Sequence, residues 1–220
     1  MSPQALSALR NTQLEAEARA LYSPTLPYHN FDHIQDTLES AAKVIERCRE
    51  ENIRIDAEVV YYALLFHDAG YQDDHLARGF ATKERYSAAL AEPILRRHGV
   101  SPSQVDKTVA AILATERDAV CISAEQKAVR AADLSGLAAD FPRFLRSSLS
   151  LKREHELLFQ RKLSWPEWQT SSAEVLGHYL TQEIRLTSYF HDGKGESSFH
   201  KAVRSNLNRL LAEPDEPPEA

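Results

Sequence analysis

The chain has 220 residues, only seven of them glycine, and a formal charge of −6 at pH 7. Scarce glycine argues against a glycine-rich phosphate loop or a fold of many tight hairpins, and the acidic balance argues against a general binder of nucleic-acid backbone. Two cysteines, Cys48 and Cys121, cannot staple a secreted scaffold and point to a reducing cytoplasm, while no apolar run approaches the ~20 residues of a membrane span.

Helical punctuation recurs along the chain. Ser2-Pro3 predicts a first helix, with a capping serine and proline at the first position, running to about Leu21 before Ser23-Pro24. Asn30 predicts the cap of a second, in which Phe31, Ile34, Leu38, Ala42, Ile45 and Cys48 fall on one stripe. Asp56 predicts the cap of a third, whose residues 59–66 are apolar on every side and suit the central buried helix. A buried strand is the rival reading there, and the cap and the length favour helix. The next helix is expected from about Thr82 to His98, kinked or split at Pro93 and stopped at Gly99. Ser101-Pro102-Ser103-Gln104 opens another, with Val105, Val109, Ile112 and Leu113 on its apolar face. Ser123 with Gln126, and Ser164 with Glu167, repeat the capping box. Phe199, Val203, Leu207 and Leu210 mark the last helix. Residues 213–220, acidic and proline-rich, read as a disordered tail. The expected fold is all-α, a single-domain bundle of roughly nine or ten helices over residues 1–212.

The chemistry centres on His67-Asp68, at the C-terminal end of the buried helix and just before Ala69-Gly70. A buried aspartate is costly unless something positive pairs with it. No Arg or Lys lies between Arg54 and Arg78, and a divalent cation would accept both imidazole and carboxylate. The plainer alternative is a capped helix end beside a satisfied core histidine. Upstream, His29 and His33 flank the Asn30 cap, His29 on the entering loop and His33 in the first turn. Downstream, Asp133 follows the Ala128, Val129, Ala132 stripe; alone it reads as a helix-end carboxylate bonded to backbone. Together, three helices can deliver His33, His67, Asp68 and Asp133 to one interior point, leaving room on a five- or six-coordinate ion for water and substrate.

A histidine, then His-Asp in LFHDAGY, then the aspartate of AADLSGL, on a helical background, resembles the HD superfamily of metal-dependent phosphohydrolases over roughly residues 20–140. PYHNFDH is similar to the cyclic-nucleotide phosphodiesterase branch, and ILATERDA and AADLS are similar to segments of it; small bacterial predicted phosphohydrolases share the Tyr-His-Asn start and this length. The resemblance implies His33, His67, Asp68 and Asp133 as metal ligands and His29 as proton donor. Glu84, in KERYS, resembles an acidic position of the small bacterial branch and is the second choice of acid or base, after His29. The departures are Gly70-Tyr71 where many members carry Glu or Lys, Leu26-Pro27 where a basic residue often stands, and Glu116-Arg117-Asp118 in place of a histidine. A phosphate contact is then either missing or supplied by Lys83 or Arg85.

The expected function is hydrolysis of a phosphomonoester or phosphodiester, nucleotide-like, by water activated at a divalent metal, with Asp68 both ligand and hydrogen-bond acceptor from that water. Mn, Fe, Zn, Mg and Ni are not distinguished; one ion is expected to be tightly held, a second is left open, and so is homo-oligomerisation. The alternatives are an HD-fold di-iron oxygenase, which needs further histidine ligands, and a non-catalytic sensor or binding module that keeps the metal. His98 reads as structural, His191-Asp192 as a surface repeat of the dipeptide, and Trp165 and Trp168 as core or interface rather than a base-stacking platform.

Overall fold

The computed structural model describes residues 9–193 and 195–217. Its regular elements are all helical. In order they are α1 (Thr12–Arg19), α2 (Phe31–Glu50), α3 (Ala57–Phe66), α4 (Lys83–Arg97), α5 (Pro102–Leu113), α6 (Ala124–Asp133), a 3-10 turn (Leu134–Ala138), α7 (Phe141–Phe159), α8 (Trp165–Leu180) and α9 (Ser198–Ala212). Among the described residues no strand forms, only an isolated bridge between Asp192 and Gly195, and no helix is long and apolar enough to cross a membrane.

Local chemistry sets the boundaries. Asn30, Asp56, Ser101 and Ser164 each cap the helix that follows by accepting from backbone amides two or three residues on. Ser164 and Glu167 complete a reciprocal capping box, as do Ser123 and Gln126. The expected cap at Ser2 lies outside the described residues; the helix that ends before Ser23-Pro24 starts at Thr12, with Asn11 as its cap. Pro93 does not split α4. Ala89, whose carbonyl loses its amide partner to the proline ring, and Pro93 both lie on the exposed face, where water can satisfy that carbonyl.

Packing divides the chain into two compact units, Met1–Asp133 and Leu134–Ala220. In the first, α3 is the hub, packed against α1, α2, α4, α5 and α6. Its residues 59–61 and 63–66 are inaccessible to solvent, and each fully buried Leu or Phe contributes about 1.5–3 kcal/mol. Helices α2, α3 and α6 also pack pairwise on one another, which brings the start of α2 and the ends of α3 and α6 together.

In the second unit α9 packs on α7, α8 and the 3-10 turn. Both tryptophans are buried, as core residues: Trp168 Nε1 donates to Ser148 Oγ and Trp165 Nε1 to the Glu213 carbonyl, each at 2.9 Å. That contact, a 2.8 Å bond from Gln169 to the same carbonyl and a 3.0 Å ion pair between Glu216 and Lys152 anchor the start of the segment expected to be a disordered tail.

Lys152 also binds Glu156 Oε1 at 2.8 Å, and Glu156 accepts from Lys162 Nζ at 3.1 Å and the Leu163 amide at 2.8 Å. Burial alone would raise the Glu156 pKa; Lys152, the Leu163 amide and Lys162 instead pull it down to about 2. A depressed carboxylate stabilises the fold above its unfolded pKa, and that contribution is lost as pH falls towards the folded value. Glu156→Gln should therefore destabilise the protein by about 1–3 kcal/mol at pH 7 and flatten the loss of stability between pH 4.5 and 2, read from urea unfolding across that range.

Candidate metal centre

Each member of the site is held by short-range structure. Asn30 Oδ1 accepts from the amides of Asp32 and His33, and its Nδ2 donates to the Leu26 carbonyl at 2.8 Å. His33 is thereby fixed in the first turn of α2. His67 closes α3, and its Nδ1 lies 2.9 Å from the Leu64 carbonyl. A carbonyl only accepts, so Nδ1 carries the proton and Nε2 is the atom that titrates or ligates. Asp133 is the last residue of α6.

The turn after Asp68 depends on glycine. Gly70 has φ +73°, and a Cβ there would sit 2.6 Å from Tyr86 Cε1 and 2.8 Å from Leu90 Cδ1. Its amide donates to the Leu21 carbonyl at 3.0 Å, while Ser87 Oγ donates to the Ala69 carbonyl at 2.8 Å. The turn is thus tied to both the α1–α2 loop and α4.

The structure brings His33, His67 and Asp68 together, with one ligand atom from each within 4.8 Å of the other two. Asp68 Oδ2 is 3.0 Å from His67 Nε2 and 3.7 Å from His33 Nε2; Asp133 Oδ1 is 3.4 Å and 3.9 Å from the same two nitrogens. Bonds of ~2.0–2.2 Å to a shared ion imply ligand separations of roughly 3.0 Å in an octahedron and 3.4 Å in a tetrahedron. His67 is 1% exposed, and its Nε2 is buried without a geometrically formed hydrogen bond, although carboxylate oxygens of Asp68 and Asp133 stand 3.0 and 3.4 Å away. An orphaned imidazole nitrogen aimed at two carboxylates and a second imidazole fits a divalent cation.

The charges at the centre act on one another. Burial works against the Asp68 carboxylate, but His67 and Lys83 hold its pKa well below the ordinary value. Burial likewise works against a charged His67, yet Asp68 and Asp133 raise its pKa well above normal. Burial dominates at His33, pushing it down to about 4. A cation bound at His67 Nε2 would compete with a proton for one lone pair, so binding would release a proton.

The remaining expected residues are arranged around this group. His29 stacks on Tyr71, with ring centroids 3.7 Å apart and planes within 10°, and meets the His33 ring edge-on at 5.8 Å. Glu84 is buried on α4, with Oε1 3.4 Å from Lys83 Nζ. Arg85 is exposed and reaches Glu116 at 3.7 Å. His98 bonds Glu17 at 2.9 Å, and His191 faces Glu183 at 3.6 Å in the second unit.

Two residues carry more than the sequence suggested. Lys83 Nζ lies 3.1 Å from Asp68 Oδ1, so Asp68 does have a protein cation. The partner lies outside the stretch between Arg54 and Arg78 and comes across space from the first turn of α4. Arg130, 3% exposed, donates to the carbonyls of Ala114, Glu116, Arg117 and Ala119, placing its charge at the carbonyl-rich end of α5. The sequence signal was an arginine inside the buried AVRAAD stripe.

Gly70→Ala should cost about 1–3 kcal/mol from positive φ alone, with further loss from the Tyr86 and Leu90 contacts; thermal melts and cation affinity should fall together. Comparison with models of known protein families, and with curated proteins, gives no match.

Proposed function

We propose that the chain is a metal-dependent phosphohydrolase of the HD type, cleaving a phosphomonoester or phosphodiester of a small, nucleotide-like molecule. The observation that carries this reading is His67 Nε2, buried without a hydrogen-bond partner and facing Asp68, Asp133 and His33. The free thiols Cys48 and Cys121 suit a reducing, cytoplasmic setting.

His33, His67, Asp68 and Asp133 would hold the ion. When bound, a divalent cation supplies Lewis acidity towards a phosphoryl oxygen and lowers the pKa of coordinated water. The protein's own groups do the rest. Asp68 would accept a hydrogen bond from the attacking water. His29 sits beside the cluster with its ring held flat on Tyr71, and an imidazole can protonate a leaving alkoxide near neutral pH. Lys83, partly exposed beside Asp68, adds positive potential where an anionic substrate approaches. Paired iron would need a second set of donors, and among the described residues His33, His67 and Asp68 form the single such group.

The test joins metal analysis to a panel of phosphomonoesters and phosphodiesters. His67→Ala and Asp68→Ala should lose metal and hydrolysis together. His29→Ala should keep the metal and lose about 10²–10⁴-fold in turnover. Full activity in metal-free His67→Ala protein would contradict the reading.

A further inference from the structure

Asp68 divides its two oxygens between different partners. Oδ2 faces His67 Nε2 at 3.0 Å and His33 Nε2 at 3.7 Å. Oδ1 accepts from Lys83 Nζ at 3.1 Å. Two-metal hydrolytic centres hold their ions ~3.5–4 Å apart, so they need ligands that serve both ions. A carboxylate with one oxygen on the histidine pair and the other directed away is suited to that bridging role. Here the outward oxygen is already occupied by an ammonium, which has three donors and no lone pair with which to ligate.

The ammonium is held in place. Nζ lies 3.4 Å from Glu84 Oε1 and 4.6 Å from the centroid of the Tyr71 ring. The helix start that carries it is pinned where the Thr82 hydroxyl donates to Glu116 at 2.7 Å. Charge points the same way. Asp68, Asp133 and Glu84 together are balanced by one divalent ion and one ammonium. A second divalent ion would leave uncompensated positive charge in a largely buried site, which is costly.

We infer that Lys83 takes the place of a second metal ion, so that the centre holds one divalent cation and Asp68 binds it through Oδ2 alone. The inference rests on the metal reading above, and it makes Lys83 a positioning residue that sets the stoichiometry of the centre. Removing the side chain leaves Asp68 Oδ1 and Glu84 Oε1 facing one point, since each lies within 3.4 Å of the Lys83 nitrogen. That pair of carboxylates is then a site for the second cation.

The experiment is Mn²⁺ titration of the full chain, followed by calorimetry, elemental analysis after gel filtration, and electron paramagnetic resonance. Wild type should bind one Mn²⁺ and give the spectrum of an isolated ion. Lys83→Ala should bind two, the second at least tenfold more weakly, with the spin-coupled signal of a close pair. Lys83→Arg, which restores the charge, should return to one. Lys83→Met, which keeps the aliphatic stem, serves if the alanine variant does not fold, and should match the result expected for alanine. Two ions in wild type, or one in the folded Lys83→Ala and Lys83→Met proteins at saturating Mn²⁺, overturns the inference while leaving the metal centre standing. A wild type that binds no Mn²⁺ overturns the metal reading itself and this inference with it.

Discussion

The contact from His67 Nδ1 to the Leu64 carbonyl, 2.9 Å long at the C-terminal end of α3, governs the chemistry around it. It occupies one ring nitrogen with a partner that only accepts, and so directs the other towards the interior. Leaving a buried polar atom unpaired costs about 1–3 kcal/mol. A fold that places such an atom among two carboxylates and another imidazole has a cost that a ligand can remove. The hub helix α3 makes this arrangement rigid, because seven of its ten residues are buried against neighbouring helices.

The electrostatics follow from the same placement. Two aspartates at one buried point repel, and each would be expensive alone. His67 and Lys83 lie on opposite oxygens of Asp68, which keeps that carboxylate charged without a metal ion. The metal reading therefore does not rest on Asp68 lacking a partner. It rests on the buried histidine nitrogen that forms no hydrogen bond among the described residues while two carboxylates and a second imidazole surround it, with Gly70 making the turn that follows Asp68.

Much of this was legible in the sequence because it is local. Caps such as Asn30, Asp56 and Ser164 act over two or three residues, so their signatures survive without any knowledge of the fold. The order of His33, His67, Asp68 and Asp133 was readable too, since helices of known periodicity carry each of them. What escaped was decided across space. Lys83 reaches Asp68 from another helix, and Arg130 gathers carbonyls from a loop more than ten residues upstream. The anchoring of Glu213 and Glu216 by Trp165 and Lys152 is likewise invisible in an acidic, proline-rich stretch. Pro93 is a related case: α4 runs on through it unsplit, with Ala89 and Pro93 on the exposed face where water can reach the orphaned carbonyl.

The most direct test of the central claim is anomalous diffraction from crystals of the full chain soaked in Mn²⁺. A single peak within ~2.0–2.3 Å of His67 Nε2, shared with His33, Asp68 and Asp133, is the result this account predicts. No peak at that nitrogen, with Nε2 instead bonded to a protein group or an ordered water, would contradict it.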